Sequence, residues 1–376
     1  MIKFWSFKKE YNLNKKIFLR AIDKTLKKGN IFFGKELLNF EKKFIKINKG
    51  KYGIAVGSGT DAILIALKTL NLKPGDEVIT AANTAIPTIS AIINAGGKPK
   101  LVDVGEDYLI DIKKIQQEIT KKTKAIIPVH LYGQMCNMEE IKKIAQKNNL
   151  TIIEDCAQSQ GAKYKNKFSG TFGKFGCFSF YPTKILGAYG DGGFILTNDF
   201  NAYKKIKRLR FYGIETIANN KFKNKYYANE NGLNSRLDEI QASILNIKLQ
   251  EVKKFIHLRR GIAKVYIKKL LNTNLILPVE NKYCKHAYHL FTVYHKNAEL
   301  IKKYLNNKKI EVRTIYPFPI HKMKAYKNLA SNKKFLNTEK KARGIFSLPL
   351  YPELKKIEVD KICNNLVNIL KKIDKS

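Results

Sequence analysis

The most informative stretch of the sequence is FSFYPTKILGAYGDGG, residues 178–193. Its β-rich beginning leads to Lys184, and the glycines that follow permit backbone angles that other residues avoid. Aromatic residues and a proline surround Lys184, where a surface lysine would have charged neighbours. Because an apolar setting removes hydration from the ammonium group, it lowers the pKa of a lysine and makes the amine a nucleophile. We therefore predict that Lys184 lies at the functional site.

The region that contains this stretch, from about residue 50 to residue 200, alternates short β-rich segments with helical ones. YGIAVGSG precedes the helical pattern DAILIALKTLNL, and KAIIPVHL precedes NMEEIKKIAQKNN. Glycine, proline and asparagine separate the segments. Strands that alternate with helices in this way predict an α/β domain with a mostly parallel sheet.

The length of 376 residues exceeds what one hydrophobic core comfortably supports, so two domains are expected. We predict a large domain over residues 1–250 and a smaller α+β domain over residues 251–376. Residues 235–271 have the pattern of one long amphipathic helix that connects the two domains. In the smaller domain, residues 287–295 and 309–317 have strand patterns.

The formal net charge of +40 raises the question of nucleic-acid binding. Of the 71 basic residues, 63 are lysines that are spread along the whole chain, whereas nucleic-acid readers concentrate arginine in one element. Nucleic acid is therefore not an expected partner, and a basic nucleic-acid-binding or regulatory protein remains the alternative from a different class. A strongly positive field would raise the association rate of an anionic small substrate.

Five dispersed cysteines without a C-x-x-C pair favour reduced thiols over disulfides or a zinc site. No apolar run approaches the roughly 20 residues that cross a bilayer, and the N-terminus lacks the apolar core of a signal peptide. We expect a cytoplasmic protein without a membrane partner.

Two further motifs carry chemistry. Residues 57–60, GSGT, follow a strand and begin a helix, where backbone N–H groups form a phosphate site, although such a motif is often only a helix start. Residues 154–161, EDCAQSQG, follow the strand pattern TII. An acidic residue at the end of a parallel strand lies where α/β sheets bind ligands, and its alternative role is to cap the next helix.

These three pieces, in this order, resemble the DegT/DnrJ/StrS family of sugar aminotransferases. That family has the aspartate-aminotransferase (type I) fold and uses pyridoxal phosphate (PLP). The resemblance covers nearly the whole chain through the motifs VGSGTDA, AANTxxPT, PVHLYGQ, EDCAQ, SFYPTKILGAYGDGG, NSRLDEIQA and SLPLYP.

The resemblance implies a catalytic role for two residues. Lys184 would bind PLP covalently and then act as general base and acid, and Asp155 would hold the pyridine nitrogen. Gln158 would contact the O3′ oxygen of the cofactor. The amino donor would be glutamate, and no metal ion is expected.

The resemblance also implies a phosphate site that two subunits share. Gly59, Thr60 and Ser179 would bind the cofactor phosphate, and Asn234 would reach it from the neighbouring subunit. The minimal working unit would then be a homodimer with its active site at the subunit interface. Family members often place an aromatic residue against the cofactor at the position of Ala85, so stacking on that face would be weaker or come from elsewhere.

The resemblance favours transamination, because relatives that dehydrate sugars have histidine in place of the lysine. The motif around Lys184 is more similar to enzymes that act at C3 of dTDP-3-keto-6-deoxyhexoses. We expect a dTDP-3-amino-3,6-dideoxyhexose as product, for a surface polysaccharide such as O-antigen or lipooligosaccharide. The alternative is a C4 aminotransferase of a UDP-4-keto sugar.

The sequence suggests roles for several histidines and one tyrosine without deciding all of them. Tyr316 and His321 are candidates for sugar or nucleotide contacts, or members of a packed loop. The position of His130 at the end of a strand pattern favours a structural role for this residue. His286 and His289 have no acidic partner in their strand pattern, which argues against a metal site.

Overall fold

The computed structural model describes residues 1–216, 222–330 and 333–375, and helices alternate with strands over most of it. The helices of these described ranges are α1 (Phe7–Lys27), α2 (Lys35–Ile47), α3 (Gly59–Lys68), α4 (Ile86–Asn94), α5 (Ile112–Glu118), α6 (Met138–Lys147), α7 (Phe200–Leu209), α8 (Glu239–Leu270), α9 (Ala298–Asn307), α10 (Leu336–Gly344) and α11 (Lys356–Ile373). Short 3-10 helices cover Leu131–Gly133, Ile320–Lys322 and Lys324–Leu329. None of the helices described is long and apolar enough to span a bilayer.

The strands of the same ranges are β1 (Tyr52–Val56), β2 (Glu77–Ala81), β3 (Lys98–Val102), β4 (Thr123–Ile127), β5 (Thr151–Asp155), β6 (Lys163–Tyr164), β7 (Lys167–Phe168), β8 (Phe175–Ser179), β9 (Gly193–Thr197), β10 (Cys284–Lys285), β11 (Phe291–Tyr294) and β12 (Ile345–Leu348). Seven of them form one sheet in the order β1-β9-β8-β5-β4-β2-β3. Neighbours pair in parallel except at β9, which is antiparallel to both β1 and β8. The predicted α/β class with a mostly parallel sheet is confirmed.

Helices cover both faces of this sheet because its strands are apolar on both sides. In β1, Ile54 and Val56 pack into the core shared with α3 and α7, while Ala55 faces the core shared with α2 and α8. The alternation follows from the two-residue period of a strand. The result is a three-layer arrangement that holds the sheet rigidly.

The carboxyl ends of β1, β2, β5 and β8 all meet at one edge of the sheet, because these strands run in the same direction. The segments that leave these ends contain Gly59, Thr88, Asp155 and Lys184. Topology therefore gathers residues that are up to 125 positions apart in the chain. This edge is where open α/β sheets bind ligands.

The predicted long helix is confirmed as α8, which has 32 residues. The predicted domain boundary, between residues 250 and 251, falls inside α8, so a continuous helix crosses it. A second apolar core unites the C-terminal half of α8 with α9, α11, β11 and β12, and Ile2 from the N-terminus joins it. The division into two domains stays a prediction.

The strand predicted over residues 309–317 does not form as a regular strand. This segment makes only isolated bridges in the described chain, Ile310 with Ile2 and Arg313 with Ser347. Tyr316 has a positive φ of 65°, and Pro317 lacks the N–H that a ladder requires. Backbone geometry therefore turns the chain here and directs Tyr316 towards the carboxyl edge of the sheet.

Candidate active site

A cavity of about 920 Å³ opens at the carboxyl edge of the sheet. Seven of the nine residues singled out from the sequence line it: Gly59, Thr60, Asp155, Gln158, Ser179, Lys184 and Tyr316. Within the described chain, Asn234 and His321 are not among its lining residues. The fold thus brings together the residues that three separate motifs contributed.

Lys184 lies just beyond β8, in a tight turn in which its backbone N–H donates to the carbonyl of Tyr181 at 2.8 Å. Gly187 completes the turn, since a Cβ there would lie 2.3 Å from the carbonyl oxygen of Pro182. Burial lowers the pKa of Lys184 to about 8, and the nearby negative charge of Asp155 opposes part of that effect. Relative to an ordinary lysine, this raises the neutral fraction at pH 7 roughly a hundredfold or more. The amine is therefore prepared for nucleophilic attack.

The carboxylate of Asp155 is fixed at the end of β5 by two donors. The Thr88 hydroxyl donates to Oδ2 at 2.8 Å, and the backbone N–H of Ala157 donates to Oδ1 at 3.1 Å. Behind it, the hydroxyls of Thr84 and Thr88 are 3.1 Å apart. Hydrogen bonds to both oxygens hold the carboxyl group in one orientation. Asp155 therefore presents its carboxylate to the cavity in a fixed position.

Gln158 joins two segments on one side of the cavity. Its Oε1 accepts from the backbone N–H of Tyr132 at 2.8 Å, and its Nε2 donates to the Tyr316 hydroxyl at 2.8 Å. Burial and the charge of Asp155 raise the pKa of Tyr316, so its hydroxyl stays neutral. The pair places an amide and a phenol where a polar ring substituent could be bound.

The N-terminus of α3 forms a corner for an anion. Ser58 caps the helix by accepting from the backbone N–H of Asp61 at 3.1 Å, and Gly59 and Thr60 follow in the first turn. A Cβ on Gly59 would lie 2.7 Å from that of Ser179, so glycine permits the close approach of α3 to β8. Free N–H groups and the helix dipole attract phosphate at such a position.

Asn234 is exposed and outside the lining of the cavity in its own chain. Its neighbour Ser235 faces inward instead. The Ser235 hydroxyl accepts from the backbone N–H of Gly57 and donates to Asp61, both at 2.8 Å. The segment is thus anchored beside the anion corner, with the Asn234 side chain directed outward.

His321 lies in a packed loop away from the cavity lining. Its Nε2 is 3.0 Å from a carboxylate oxygen of Glu339, and its ring packs against Phe335 with centroids 4.6 Å apart. The side chain is buried. Of the two alternatives that the sequence left open for His321, the structure favours packing.

His130 belongs to a buried cluster behind the sheet edge. Its ring and the side chains of Glu154 and Cys156 offer ligand atoms within 4.8 Å of one another. The Glu154 carboxylate, however, is 3.0 Å from Nε2 of His130 and accepts three backbone N–H groups of the segment 170–173. The cluster locks that segment to β5, in agreement with the structural role that the sequence favoured.

The sequence motifs did not identify His289 or Trp5 as lining residues of the cavity. Burial and the positive charges of Lys184 and Arg259 lower the pKa of His289 well below its usual value, so a neutral imidazole lies near the lysine. The strand pattern of residues 287–295 gave no sign of this, because the contact arises only from tertiary packing. Ala85 also lines the cavity, without an aromatic ring.

These groups match what PLP requires of a protein. A desolvated lysine suits a Schiff base, a fixed carboxylate suits a protonated pyridine nitrogen, and a helix N-terminus suits a phosphate. The close approach of α3 to Ser179 leaves a cradle at that corner that a side chain on Gly59 would fill. Fold and site together define a PLP-dependent aminotransferase.

The model of the DegT/DnrJ/EryC1/StrS aminotransferase family matches residues 12–367. The chain belongs to this family, as its motifs predicted. Its cofactor is pyridoxal phosphate, and it is a sugar-nucleotide aminotransferase.

Curated relatives include enzymes named for dTDP and for UDP sugars. The dTDP-3-amino-3,4,6-trideoxy-alpha-D-glucose transaminase of Micromonospora megalomicea is 38% identical over 93% of this chain and 94% of its own. The dTDP-3-amino-3,6-dideoxy-alpha-D-galactopyranose transaminase of Aneurinibacillus thermoaerophilus is 40% identical over 91% and 92%. The UDP-N-acetyl-3-dehydro-alpha-D-glucosamine 3-aminotransferase of Acidithiobacillus ferrooxidans is 36% identical over 92% and 91%.

Solved structures agree over almost the whole chain. Streptomyces venezuelae DesV, in complex with a ketimine intermediate, superposes with a TM-score of 0.93 at 32% identity and covers 98% of both chains. NtdA of Bacillus subtilis, with the bound cofactor PMP, gives 0.88 at 31% identity over 96% of this chain and 82% of its own.

Proposed function

We propose that the protein transfers an amino group from glutamate to C3 of a dTDP-3-keto-6-deoxyhexose and forms a dTDP-3-amino-3,6-dideoxyhexose. The product would serve the synthesis of a surface polysaccharide. The observation that carries the transamination is the placement of Lys184, with its lowered pKa, in one cavity with the fixed carboxylate of Asp155. Support for carbon three comes from three relatives whose names give position 3 although their nucleotides differ.

In the proposed mechanism, bound PLP supplies an electron sink that stabilises negative charge at the carbon that loses a proton. The neutral amine of Lys184 removes the proton from the α-carbon of glutamate and later returns a proton to C3 of the sugar. Asp155 would hold its carboxylate beside the pyridine nitrogen of the cofactor. Gln158 and Tyr316 would hold polar atoms at the edge of the ring, and the backbone of Gly59 with Ser179 would orient the phosphate.

We also propose that the site is completed by a second copy of the chain. Asn234 is exposed, and two large exposed apolar side chains lie beside its segment. The backbone N–H of Tyr212 donates to the carbonyl of Leu233, and the guanidinium of Arg236 lies over the ring of Phe32. Exposed apolar groups of this size are typical of surfaces that bind another chain. In the proposed homodimer, Asn234 would reach the phosphate in the partner's cavity.

A substrate panel tests the choice of sugar. Purified holoenzyme is incubated with glutamate and, separately, with a dTDP-3-keto-6-deoxyhexose, a UDP-3-keto sugar and a UDP-4-keto sugar, and products are identified by mass spectrometry. We expect the amino product from the dTDP-3-keto sugar to form fastest. Faster turnover of the UDP-4-keto sugar would contradict the assignment of carbon three. A preference for the UDP-3-keto sugar would contradict only the nucleotide.

A further inference from the structure

The N-terminal segment that precedes α1 is held in place on both sides of Trp5. Ile2 forms a backbone bridge with the segment that follows α9. The backbone N–H of Phe4 donates to the carboxylate of Glu311 at 3.2 Å, and the Phe4 side chain is buried in the main core. Ser6 caps the N-terminus of α1 with its hydroxyl. Because both flanks are anchored, the backbone of Trp5 has a defined position in the wall of the active-site cavity.

The side chain of Trp5 lies beside Lys184. Both residues line the active-site cavity, and both also line a smaller hollow of about 40 Å³ next to it. The indole is partly buried and packs against both hydrophobic cores, with ring centroids 4.6 Å from Phe4 in an edge-to-face arrangement. An aromatic ring held in this way forms a fixed surface near the reactive amine.

The indole presents carbon atoms to the cavity rather than its N–H group. Its Nε1 is buried from solvent and has no hydrogen-bond partner among the described residues. The accessible part of the ring is therefore apolar. Other apolar side chains line the same cavity, among them Pro87, Leu290 and Ile315. A substrate that reaches Lys184 consequently meets an apolar surface at Trp5.

A hexose that reacts at C3 must come close to this surface. Lys184 has to reach the carbon that gains the proton, and every atom of a six-membered sugar ring lies within a few bonds of C3. Glutamate offers two methylene groups between charged ends, whereas a 6-deoxyhexose offers the C–H faces of its ring and a C6 methyl group. Burial of such groups against an aromatic ring is favourable.

We propose that Trp5 is a specificity-determining residue, whose indole packs against the sugar and selects a 6-deoxyhexose over a hexose with a C6 hydroxyl group. A C6 hydroxyl would lie against carbon and lose its hydrogen bonds to water. A hydrophobic contact of this size discriminates by a factor of about 10 to 100. The inference rests on the proposed function, because it takes the substrate to be a keto hexose that reacts beside Lys184.

Binding of sugar nucleotides that cannot react tests the selection without turnover. The Kd of the holoenzyme is measured by calorimetry for dTDP-6-deoxyglucose, dTDP-glucose and dTDP, none of which has a keto group. We expect dTDP-6-deoxyglucose to bind about tenfold tighter than dTDP-glucose, or more. Equal affinity of the wild-type protein for the two sugars would overturn the proposal.

Three variants assign the selection to Trp5. In Trp5→Ala the preference should fall to about twofold or less, while dTDP binds as before, since only the contact with the sugar is lost. Trp5→Phe keeps an aromatic surface and should retain part of the preference. Phe4→Leu is the matched control, because this buried residue of the same segment does not line the cavity in the described chain. An unchanged preference in Trp5→Ala, or an equal loss in Phe4→Leu, would contradict the role of Trp5.

The wild-type protein allows a measurement that needs no variant, because Trp5 is the only tryptophan in the chain. Its fluorescence in the holoenzyme should change when dTDP-6-deoxyglucose saturates the site. The change with dTDP should be smaller, since dTDP has no sugar that could reach the indole. Equal changes with the two ligands would count against the contact.

The same titrations with UDP-6-deoxyglucose, UDP-glucose and UDP separate this inference from the proposed function. Tighter binding of the UDP compounds, with a preference that still depends on Trp5, would contradict the dTDP assignment and support the role of Trp5. A preference that is independent of Trp5 in both series would refute the inference and leave the proposed sugar reaction intact.

Discussion

At the scale of the residue, Lys184 is set apart from the other lysines by its surroundings rather than by its type. Burial in the cavity lowers the pKa of Lys184 to about 8, whereas the ammonium groups of exposed lysines remain hydrated. Asp155 limits the shift, because a nearby negative charge favours the ammonium form. The two residues therefore adjust each other: the carboxylate keeps the amine basic enough to move a proton, and the burial keeps it reactive.

Replacement of this amine should remove the covalent link to the cofactor. Lys184→Ala is expected to lack the visible absorbance of the lysine–PLP linkage and to lose transamination by a factor of at least about 10³. Lys122→Ala, at an exposed position, serves as control and should keep both. An unchanged spectrum in Lys184→Ala would contradict the assignment.

The pH dependence of cofactor attachment should report the lowered pKa. Only the neutral amine of Lys184 attacks the aldehyde, and the protonated form predominates below a pKa of about 8. The rate of PLP attachment to the apoenzyme should therefore increase with pH up to about 8 and level off above it. Stopped-flow absorbance measures the rate. A rate that continues to rise to pH 10 would indicate an ordinary, hydrated lysine.

The charge of Asp155 should matter more than the hydrogen bonds that hold it. Asp155→Asn keeps the shape but removes the negative charge, and we expect activity to fall by about 10² or more. Thr88→Val removes one donor to Oδ2 and should cost less, about 1 kcal/mol of stability with a moderate loss of activity. Rates, absorption spectra and thermal unfolding of both variants test the order, and equal losses would contradict it.

At the scale of the element, the strand–turn–helix unit of β1 and α3 depends on a glycine. Gly59 stands where the first turn of α3 meets Ser179, and a Cβ there would lie 2.7 Å from the Ser179 Cβ. In contrast, Gly261 is in the exposed middle of α8, with nothing within 4 Å of an added Cβ. The same residue type therefore has a positional function in one helix and only a conformational cost in the other.

Replacing each of these two glycines with alanine should affect different properties of the protein. Gly59→Ala should separate α3 from β8 and weaken PLP binding, which equilibrium titration of the apoenzyme measures. Gly261→Ala should leave PLP binding unchanged and stabilise the protein by about 0.5–1 kcal/mol, because it removes backbone entropy from the unfolded helix segment. Unchanged PLP affinity in Gly59→Ala would refute the proposed phosphate corner.

At the scale of the whole molecule, the cavity draws on a sheet edge, the N-terminal segment and the C-terminal part of the chain. Trp5, Lys184 and Tyr316 line it together although they are far apart in sequence. The second core, which joins Ile2 to α9 and α11, helps to hold the N-terminal segment near the site. The remaining wall would be supplied by the partner in the proposed homodimer.

Mixing two inactive variants tests the shared site. In hybrid dimers of Lys184→Ala and Asn234→Asp, one site carries both changes and the other carries neither. Each variant alone should be inactive or nearly so, while an equal, re-equilibrated mixture should regain about a quarter of wild-type activity. No recovery in a mixture that forms hybrid dimers would contradict the contribution of Asn234 from the partner.

The positive charge of the whole molecule should serve small anions rather than nucleic acid. We expect the holoenzyme to bind duplex DNA only weakly and without sequence preference, with binding lost at physiological salt. Fluorescence anisotropy over a range of salt concentrations checks this. Tight, sequence-dependent binding by PLP-free protein would favour the regulatory alternative.

Local patterns in the chain were enough to predict the α/β class, the long helix α8 and the residues at the ends of the strands. These follow from local periodicity and from motifs in which glycine, lysine and aspartate are needed at fixed spacing. These patterns did not predict the backbone conformation of residues 309–317, where an apolar alternation indicates a strand that does not form. There, the positive φ of Tyr316 and the proline that follows break the ladder.

Which side chains share the cavity follows from the packing of the whole chain and could not be read from local patterns. Packing brings Trp5 and His289 to Lys184, fixes Asp155 through Thr88, and leaves His321 against Phe335. Such contacts join positions far apart in the chain, so the burial and the pKa shifts of these side chains arise only when the packed layers meet.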